Sequence, residues 1–355
     1  LNNEIIPVSR KKETESLFPG AFAGRIAEEE KELYTVITSK GTMLASVTGK
    51  MMQSASSRED YPAVGDYVAL DRDDDSQGFG RIIGVLERSS CIRRKAAGDT
   101  TGIQVIAANV DMLFLTMALN QDFNIRRLER YIAVAKESGI KSIILLTKLD
   151  LAEDLYEKLE EVRKAASGGK VILLSNLTGE GVDEVRDLIS EGITAAFIGS
   201  SGIGKSSVIN SLLGEESLAT GGLRKGDGKG RHTTTHRELI LLPSGGMVID
   251  TPGMRELHLL DDISGVDEAF SDILSLSSSC RFKDCSHRAE PGCRVQEALA
   301  DGTLDRKRLE SYEKLQKEAR HMAAAMDDRV RREKKAENKK LGKLIKEIKK
   351  DRRKI

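Results

Sequence analysis

The segment Thr147-Lys148-Leu149-Asp150 stands ahead of Gly199-Ser200-Ser201-Gly202-Ile203-Gly204-Lys205-Ser206-Ser207, and Asp250-Thr251-Pro252-Gly253 comes last. The middle segment satisfies the phosphate-loop pattern G-x4-G-K-[ST], the last is a DxxG, and the first is a TKxD of the kind that reads guanine. The usual order in guanine-nucleotide domains is phosphate loop, DxxG, then [NT]KxD. Here the base-reading half has moved to the front, so the motifs imply a circularly permuted P-loop α/β GTPase domain. A doubly wound sheet keeps its contacts when old ends are joined and a loop is cut elsewhere. The permutation also leaves the segment after DxxG at the end of that domain, beside whatever follows.

Each motif implies a role through its chemistry. Glycines let the backbone N–H groups of Gly199 to Ser207 turn inward around phosphate oxygens at a helix N-terminus. Lys205 is expected on the β- and γ-phosphates, and Ser206 on Mg²⁺ that enters with GTP. Asp250 follows the apolar run Met247-Val248-Ile249 and is expected to hold Mg²⁺ through water, with the Gly253 amide facing the γ-phosphate. Asp150 can accept from the guanine N1–H and exocyclic amine, a donor pair that adenine lacks, so GTP is favoured over ATP. The Lys148 stem and Leu149 flank the base, and Ser175-Asn176 complete the pocket. Thr147 stands where many such domains have Asn, and Asn176 where Ala is usual. A glycine-rich stretch, 221–230, leads into Arg231-His232-Thr233-Thr234-Thr235 and reads as a switch, with Thr234 or Thr235 as the Mg²⁺ ligand. Met254 occupies the place of a water-orienting Gln, so hydrolysis is slow or another group such as His232 assists; an exposed loop histidine is the plain alternative.

Around this domain the pattern divides the 355 residues into three parts. Residues 1–90 carry five short β runs with turn signals between them, Ala21–Ile26, Leu33–Ile37, Thr42–Val47, Tyr67–Leu70 and Gly80–Val85, which suit a small barrel, OB-fold or SH3-like. Residues 91–262 alternate short apolar strands with helices, a βαβ rhythm that predicts a parallel sheet covered on both faces. Residues 263–355 lose the strand signal. Leu309, Tyr312, Leu315, Ala319, Met322 and Met326 recur at helical spacing, as do Leu341, Leu344, Ile345 and Ile348 among lysines.

The chain has four cysteines, and three of them fall in Cys280-x4-Cys285-x-His287-x5-Cys293. Three thiolates and an imidazole make the donor set of a closed, structural Zn²⁺ site. Cys91 stands alone and reads as a core residue. From Arg329 to Ile355 there are fourteen Lys and Arg against four Asp and Glu, a local charge of +10 in a chain of net charge zero. That tail suggests a polyanion such as RNA, or else a merely solvated helix. No apolar run approaches a membrane span, and LNNEIIPVSR has no export-signal core, so the expected compartment is the cytoplasm.

With these residues in hand, the chain resembles the RsgA/YjeQ family of circularly permuted, ribosome small-subunit-dependent GTPases. The resemblance rests on PAVGDYV, QVIAANVD, RRLERYI, TKLD, GSSGIGKSS, GRHTTT, DTPG and the cysteine–histidine cluster, and departs at Thr147 and at the long basic tail. It implies an N-terminal OB-fold barrel, a permuted GTPase domain and a zinc-binding, mostly helical C-terminal domain. It further implies GTP hydrolysis to GDP stimulated by the 30S subunit, contact with its 16S rRNA late in maturation, a monomeric chain and a catalytic part for His232. The competing expectation is a GTP-switched ribosome-binding adaptor in which hydrolysis is incidental.

Overall fold

The structure, a computed structural model, describes residues 5–30, 33–76, 78–95, 103–214, 237–250 and 263–324. After helix α1 (Val8–Leu17), strands β1 (Phe22–Glu30), β2 (Leu33–Ile37), β3 (Thr42–Val47), β4 (Tyr67–Leu70) and β5 (Gly80–Val85) close into a barrel, with helix α2 (Gly49–Ser54) between β3 and β4. The order is β1-β2-β3-β5-β4 and back to β1, with β3 and β5 parallel and the other pairs antiparallel. This is an OB-like order, which hydrophobic periodicity alone left open. Alternation does the sorting: Met43, Ala45 and Val47 point inward onto Ile26, Val36, Val68 and Ile82, whereas Thr42 and Leu44 are exposed.

Beneath the barrel, Asp66 is fully buried and receives a forked guanidinium from Arg88, Nε to Oδ1 at 2.8 Å and Nη2 to Oδ2 at 2.7 Å. The Ala63 N–H adds a third bond at 2.8 Å, and Arg88 also donates to the Glu59 and Tyr61 carbonyls. Burial pushes the Asp66 carboxyl up from its ordinary value, and Arg88 and the Ala63 amide pull it back. The two-pronged geometry holds it as a carboxylate paired with Arg88.

A separate hairpin, β6 (Cys91–Lys95) with β7 (Ile103–Ala108), leads into the α/β domain. There β8 (Met112–Ala118), β9 (Lys141–Thr147), β10 (Val171–Leu173), β11 (Thr194–Ile198), β12 (Glu238–Leu241) and β13 (Met247–Asp250) line up as β10-β9-β8-β11-β13-β12. All neighbours are parallel except the β12–β13 hairpin. Helices α3 (Ile125–Glu137), α4 (Leu155–Ala166), α5 (Val182–Leu188) and α6 (Lys205–Leu213) fill the crossovers. Leu113, Leu115 and Met117 of β8 enter one apolar layer, and Met112 and Phe114 enter the other. Phe114 stacks on Phe197 of β11 at 4.9 Å. Burial on both faces is why these strands read as continuous apolar runs.

Two joints tie the parts together. On the barrel side, β1 runs on to pair with β12 at Glu28 and Glu238, so barrel and α/β strands form one continuous sheet. Beside that pairing Arg25, 1% exposed, reaches out of the barrel: Nη2 donates to Thr194 Oγ1 at 2.8 Å, and the guanidinium lies 4.8 Å from the Tyr67 ring centre. On the other side helix α7 (Ile263–Ala269) packs against α3, and α8 (Ser271–Ser278), α9 (Arg294–Ala300) and α10 (306–324) add residues to the same apolar layer. Arg308 of α10 bridges Asp272 (2.7 Å) and buried Glu129 of α3 (2.9 Å), and Arg130 of α3 forks onto Glu318 at 2.6 and 2.9 Å. Leu309, Tyr312, Leu315, Ala319 and Met322 are all buried on one face of α10, as their helical spacing requires. Met326 and the segment 329–355 lie outside the described residues.

The sequence reading did not contain α1, the β6–β7 hairpin or β12. Cys91, read there as a core residue, is half-buried on β6, packed against Ala63, Val105 and Ala108. Among the described residues no helix is long and apolar enough to cross a membrane.

Because Asp66 has no water to fall back on, Arg88→Met is expected to destabilise the chain by about 3–5 kcal/mol, the cost of stranding one member of a buried pair. Urea unfolding followed by circular dichroism measures it. A loss below about 1 kcal/mol, as for exposed pairs, would mean that solvent reaches the carboxylate.

Candidate nucleotide and metal sites

Strand β11 is buried throughout and delivers Gly199 to the C-terminal edge of the sheet. A Cβ at Gly199 would stand 2.1 Å from Ile203 Cδ1 and 2.7 Å from the Thr116 carbonyl oxygen, so only glycine lets the chain turn there. Gly204, φ +100°, sits in the left-handed region immediately before α6. Between them the loop curls around its own lysine: Lys205 Nζ donates to the Gly199 carbonyl at 2.7 Å and to the Ser200 carbonyl at 2.8 Å. Ser201 and Gly202 are exposed at the tip, Ile203 is buried as an anchor, and Ser206 and Ser207 lie in the first turn of α6. The parallel neighbour β13 ends at Asp250, which is buried. Asp250 pairs across the ladder with Glu238, and Glu238 with Glu28. Burial, then Glu28 and Asp250, raise the Glu238 carboxyl above its ordinary value.

The base-reading segment meets this loop directly. Strand β9 ends at Thr147, which is fully buried, and its Oγ1 donates to the Ile203 carbonyl at 2.6 Å. Lys148 then takes a left-handed conformation, φ +58°, which turns the chain into the short helical turn Leu149–Leu151. Asp150 Oδ1 accepts from Ser175 Oγ at 2.5 Å, and Ser175 is itself buried at the end of β10. Asn176 Oδ1 accepts from Ser211 of α6 at 3.2 Å, while its Nδ2 approaches Gly204. Thr147, Lys148, Leu149, Asp150, Ser175, Asn176, the loop from Gly199 to Ser207 and Asp250 thus gather at the carboxyl ends of adjacent parallel strands, where open α/β sheets bind ligands. His232, Thr234, Thr235, Gly253 and Met254 lie outside the described residues.

One residue at this site had no role in the sequence reading. Helix α3 is capped by Asn124, whose Oδ1 accepts from the Arg126 and Arg127 amides. That cap aims Arg127 at the phosphate loop, and its Nη1 donates to Ser200 Oγ at 2.6 Å. Asp122 pairs with Nη2 at 3.1 Å. The motif RRLERYI flagged the helix, but nothing local says that β8 lies beside β11, which is what brings Arg127 and Ser200 together.

In the C-terminal part, the ligand atoms of Cys280, Cys285, His287 and Cys293 all lie within 4.8 Å of one another, a cluster that could hold a metal ion. Cys280 and Cys293 Sγ are 3.9 Å apart, and His287 Nδ1 stands 3.7 and 3.5 Å from them. The other ring nitrogen, Nε2, meets Ser277 Oγ at 3.1 Å. That contact orients the ring and turns Nδ1 toward the thiols. Cys293 caps α9, accepting from the Gln296 amide at 3.4 Å. Burial, then the Cys293 and Cys280 thiols, push Cys285 up to about 11. Three clustered thiols resist joint ionisation unless a cation neutralises them.

Comparison with known proteins agrees with this layout. Residues 85–260 match the family model described as RsgA GTPase, and residues 194–353 match that described as 50S ribosome-binding GTPase. The small ribosomal subunit biogenesis GTPase RsgA 2 of Lactiplantibacillus plantarum is 46% identical over 299 residues, 84% of each chain. The RsgA of Methanosarcina acetivorans is 42% identical over 318 residues, covering 88% of this chain and 85% of its own. Among solved structures, YjeQ from Thermotoga maritima superposes with a TM-score of 0.60 at 25% identity, over 84% of this chain and 98% of that one. YloQ, described as a circularly permuted GTPase, gives 0.55 at 26% identity, over 85% and 96%. Identity of 42–46% over most of both chains, together with the match of residues 85–260 to the RsgA GTPase model, means that this chain belongs to the RsgA family of circularly permuted GTPases.

Proposed function

We propose that this GTPase acts on the small ribosomal subunit late in its maturation, binding 16S rRNA there and hydrolysing GTP to GDP and phosphate with turnover stimulated by the subunit. The observation that supports the nucleotide half is the Thr147–Ile203 bond, which joins the TKLD segment to the GSSGIGKSS loop. The ribosomal half rests on relatives of near-equal length that are named small ribosomal subunit biogenesis GTPases. In this reading residues 1–90 and 263–355 are subunit-binding parts on either side of the GTPase domain 91–262. The chain works as a cytoplasmic monomer.

Each residue then has a task. Asp150 accepts from the guanine edge, with Lys148 and Leu149 beside the base and Ser175 holding the carboxylate in place. Backbone N–H groups from Ser200 to Ser207 surround the phosphates. Lys205, which bonds to its own loop carbonyls, exchanges them for the stronger charge-assisted bond to phosphate oxygens. Ser206, Asp250 and one of Thr234 or Thr235 would hold Mg²⁺, and the ion would supply positive charge to the phosphates. The Gly253 amide faces the γ-phosphate, and His232 assists the attacking water when the subunit is bound. The metal of the cysteine cluster is a structural Zn²⁺. With Zn–S near 2.3 Å and Zn–N near 2.0 Å, a tetrahedral site needs S···S edges of about 3.8 Å and S···N edges of about 3.5 Å. The 3.9, 3.7 and 3.5 Å separations among Cys280, Cys293 and His287 match those edges, and the whole set of four, with Cys285, lies within 4.8 Å.

The decisive experiment is GTP turnover with and without 30S particles. Lys205→Ala is expected to abolish turnover in both conditions. His232→Ala is expected to remove most of the stimulation while nucleotide affinity stays near wild type. Absence of stimulation in the wild type would favour the adaptor reading instead. Asp150→Asn should weaken GTP and shift preference toward xanthine nucleotides, because an acceptor becomes a donor; equal wild-type affinity for ATP and GTP would overturn the base assignment.

For the metal, elemental analysis is expected to give one zinc per chain, and Cys285→Ser to lower that content and loosen α8–α9 in amide exchange, since binding energy there is folding energy. A metal-free protein purified without chelators would refute it. For the tail, deletion of 329–355 is expected to weaken 30S co-sedimentation and flatten its salt dependence without changing isolated GTP affinity. Identical salt curves for the two proteins would remove the tail from the RNA contact.

A further inference from the structure

Helix α3 is held at both ends of a chain of contacts that joins the nucleotide site to the C-terminal helices. Its N-terminal Arg127 grips Ser200 of the phosphate loop, Nη1 to Oγ at 2.6 Å. Its neighbours Arg126, Glu129 and Arg130 face the other way. Arg126 pairs with Asp305 at 2.5 Å, buried Glu129 accepts from Arg308 at 2.9 Å, and Arg130 forks onto Glu318. Arg308 in turn bridges to Asp272 at the start of α8, the helix that carries Ser277 to His287 of the metal cluster. Within five residues, one rigid element therefore touches the phosphate loop and the body of the metal-binding domain.

Ser200 is itself held twice. Its carbonyl accepts from Lys205 and its hydroxyl from Arg127. When Lys205 turns to phosphate oxygens, the first hold is released and the second is what remains. Arg127 is well placed to keep it. Asp122 anchors Nη2, the Asn124 cap fixes the helix start, and Nε is buried with no hydrogen-bond partner among the described residues. A guanidinium that leaves one buried donor unmatched is placed at a cost, and the direct bond to the phosphate loop is its most specific contact.

We infer that Arg127 is a positioning residue for GTP hydrolysis: it sets the bound-state geometry of the phosphate loop through Ser200, and docking of the C-terminal helices on α3 decides where Arg127 stands. The inference rests on the phosphate-loop role proposed above for Gly199 to Ser207. It gives the metal-binding domain a mechanical route to the nucleotide that does not pass through the switch segments. A partner that tugs on α10 or α8 changes the phosphate loop through α3, and by linkage nucleotide state changes how firmly those helices dock.

The test uses the full chain and single-turnover hydrolysis at saturating GTP, alongside fluorescent-nucleotide affinity and thermal unfolding. Arg127→Gln is expected to slow the single-turnover step on the order of tenfold, with a smaller change in GTP affinity, because a charge-assisted bond acting on geometry is lost. Arg127→Lys recovers part of the rate. Ser200→Ala behaves like Arg127→Gln, and the double variant is no slower than either, since the two residues form one contact. Arg130→Gln, which touches no phosphate-loop residue, slows the same step in the same direction. A wild-type rate in Arg127→Gln overturns the positioning role, and so do independent, additive effects of Arg127 and Ser200. A wild-type rate in Arg130→Gln and in Glu318→Gln overturns the link to the C-terminal helices. Lys205→Ala serves as the control: if it binds and hydrolyses normally, the phosphate-loop reading itself has failed, whereas an inactive Lys205→Ala beside a normal Arg127→Gln removes only this inference.

Discussion

The hydrogen bond from Thr147 to the Ile203 carbonyl is the contact on which the nucleotide site depends. In this permuted order, the strand that ends in TKLD and the loop GSSGIGKSS are separated by two strand–helix crossovers. Covalent proximity does not register them. A buried 2.6 Å bond, with neither partner open to water, does. Leaving the Ile203 carbonyl unpaired in that interior would cost the desolvation of a polar group, so the joint is specific as well as strong. It also explains why Thr serves where Asn is more usual: a hydroxyl at the end of β9 reaches the carbonyl directly. Ser175 on Asp150 and Ser211 on Asn176 repeat the device, each using a short side chain to fix a base-side residue to the frame.

Around that joint, buried arginines connect the described parts of the chain. Arg25 leaves the barrel to reach Thr194 at the root of β11, the strand that carries the phosphate loop. Burial lowers its pKa, while Tyr67 and Asp111 favour the charged form. Arg308 performs the matching task on the other side, between Glu129 and Asp272, with its guanidinium 4.6 Å from the Phe270 ring centre. Arginine suits both positions because its planar fork satisfies several acceptors at once and stacks on aromatic rings. Such joints are rigid and directional.

Much of this was legible from residue pattern. The five barrel strands fall where alternation put them, and the parallel strands where short apolar runs stood between helices. The phosphate loop and TKLD sit at strand ends because their glycines and polar residues cannot continue a strand. The cysteine cluster needed only its spacing, since all four ligands lie within fourteen positions of one another. Helix α1 was missed because Val8–Leu17 is polar almost throughout and buries only Thr14, so it has no apolar stripe to detect. In the hairpin, β6 is short and mixed in polarity and so carries no strand signal, although β7 is a short apolar run; β12 was missed because its four residues follow a long polar stretch.

Local chemistry, then, marked the candidates for phosphate, guanine and metal, since each of those tasks needs a fixed set of atoms at fixed spacing along the chain. It determined the permutation as well, because motif order is a property of the sequence alone. Tertiary structure decided what those motifs touch. That β8 lies between β9 and β11, that Arg127 meets Ser200, that β1 of the barrel extends onto β12, and that Arg308 reaches Glu129 across 179 positions follow from strand order and helix docking. These are contacts between residues distant in sequence. Their energies come from burial and pairing that no local pattern encodes, so only the folded sheet and its packed helices could settle them.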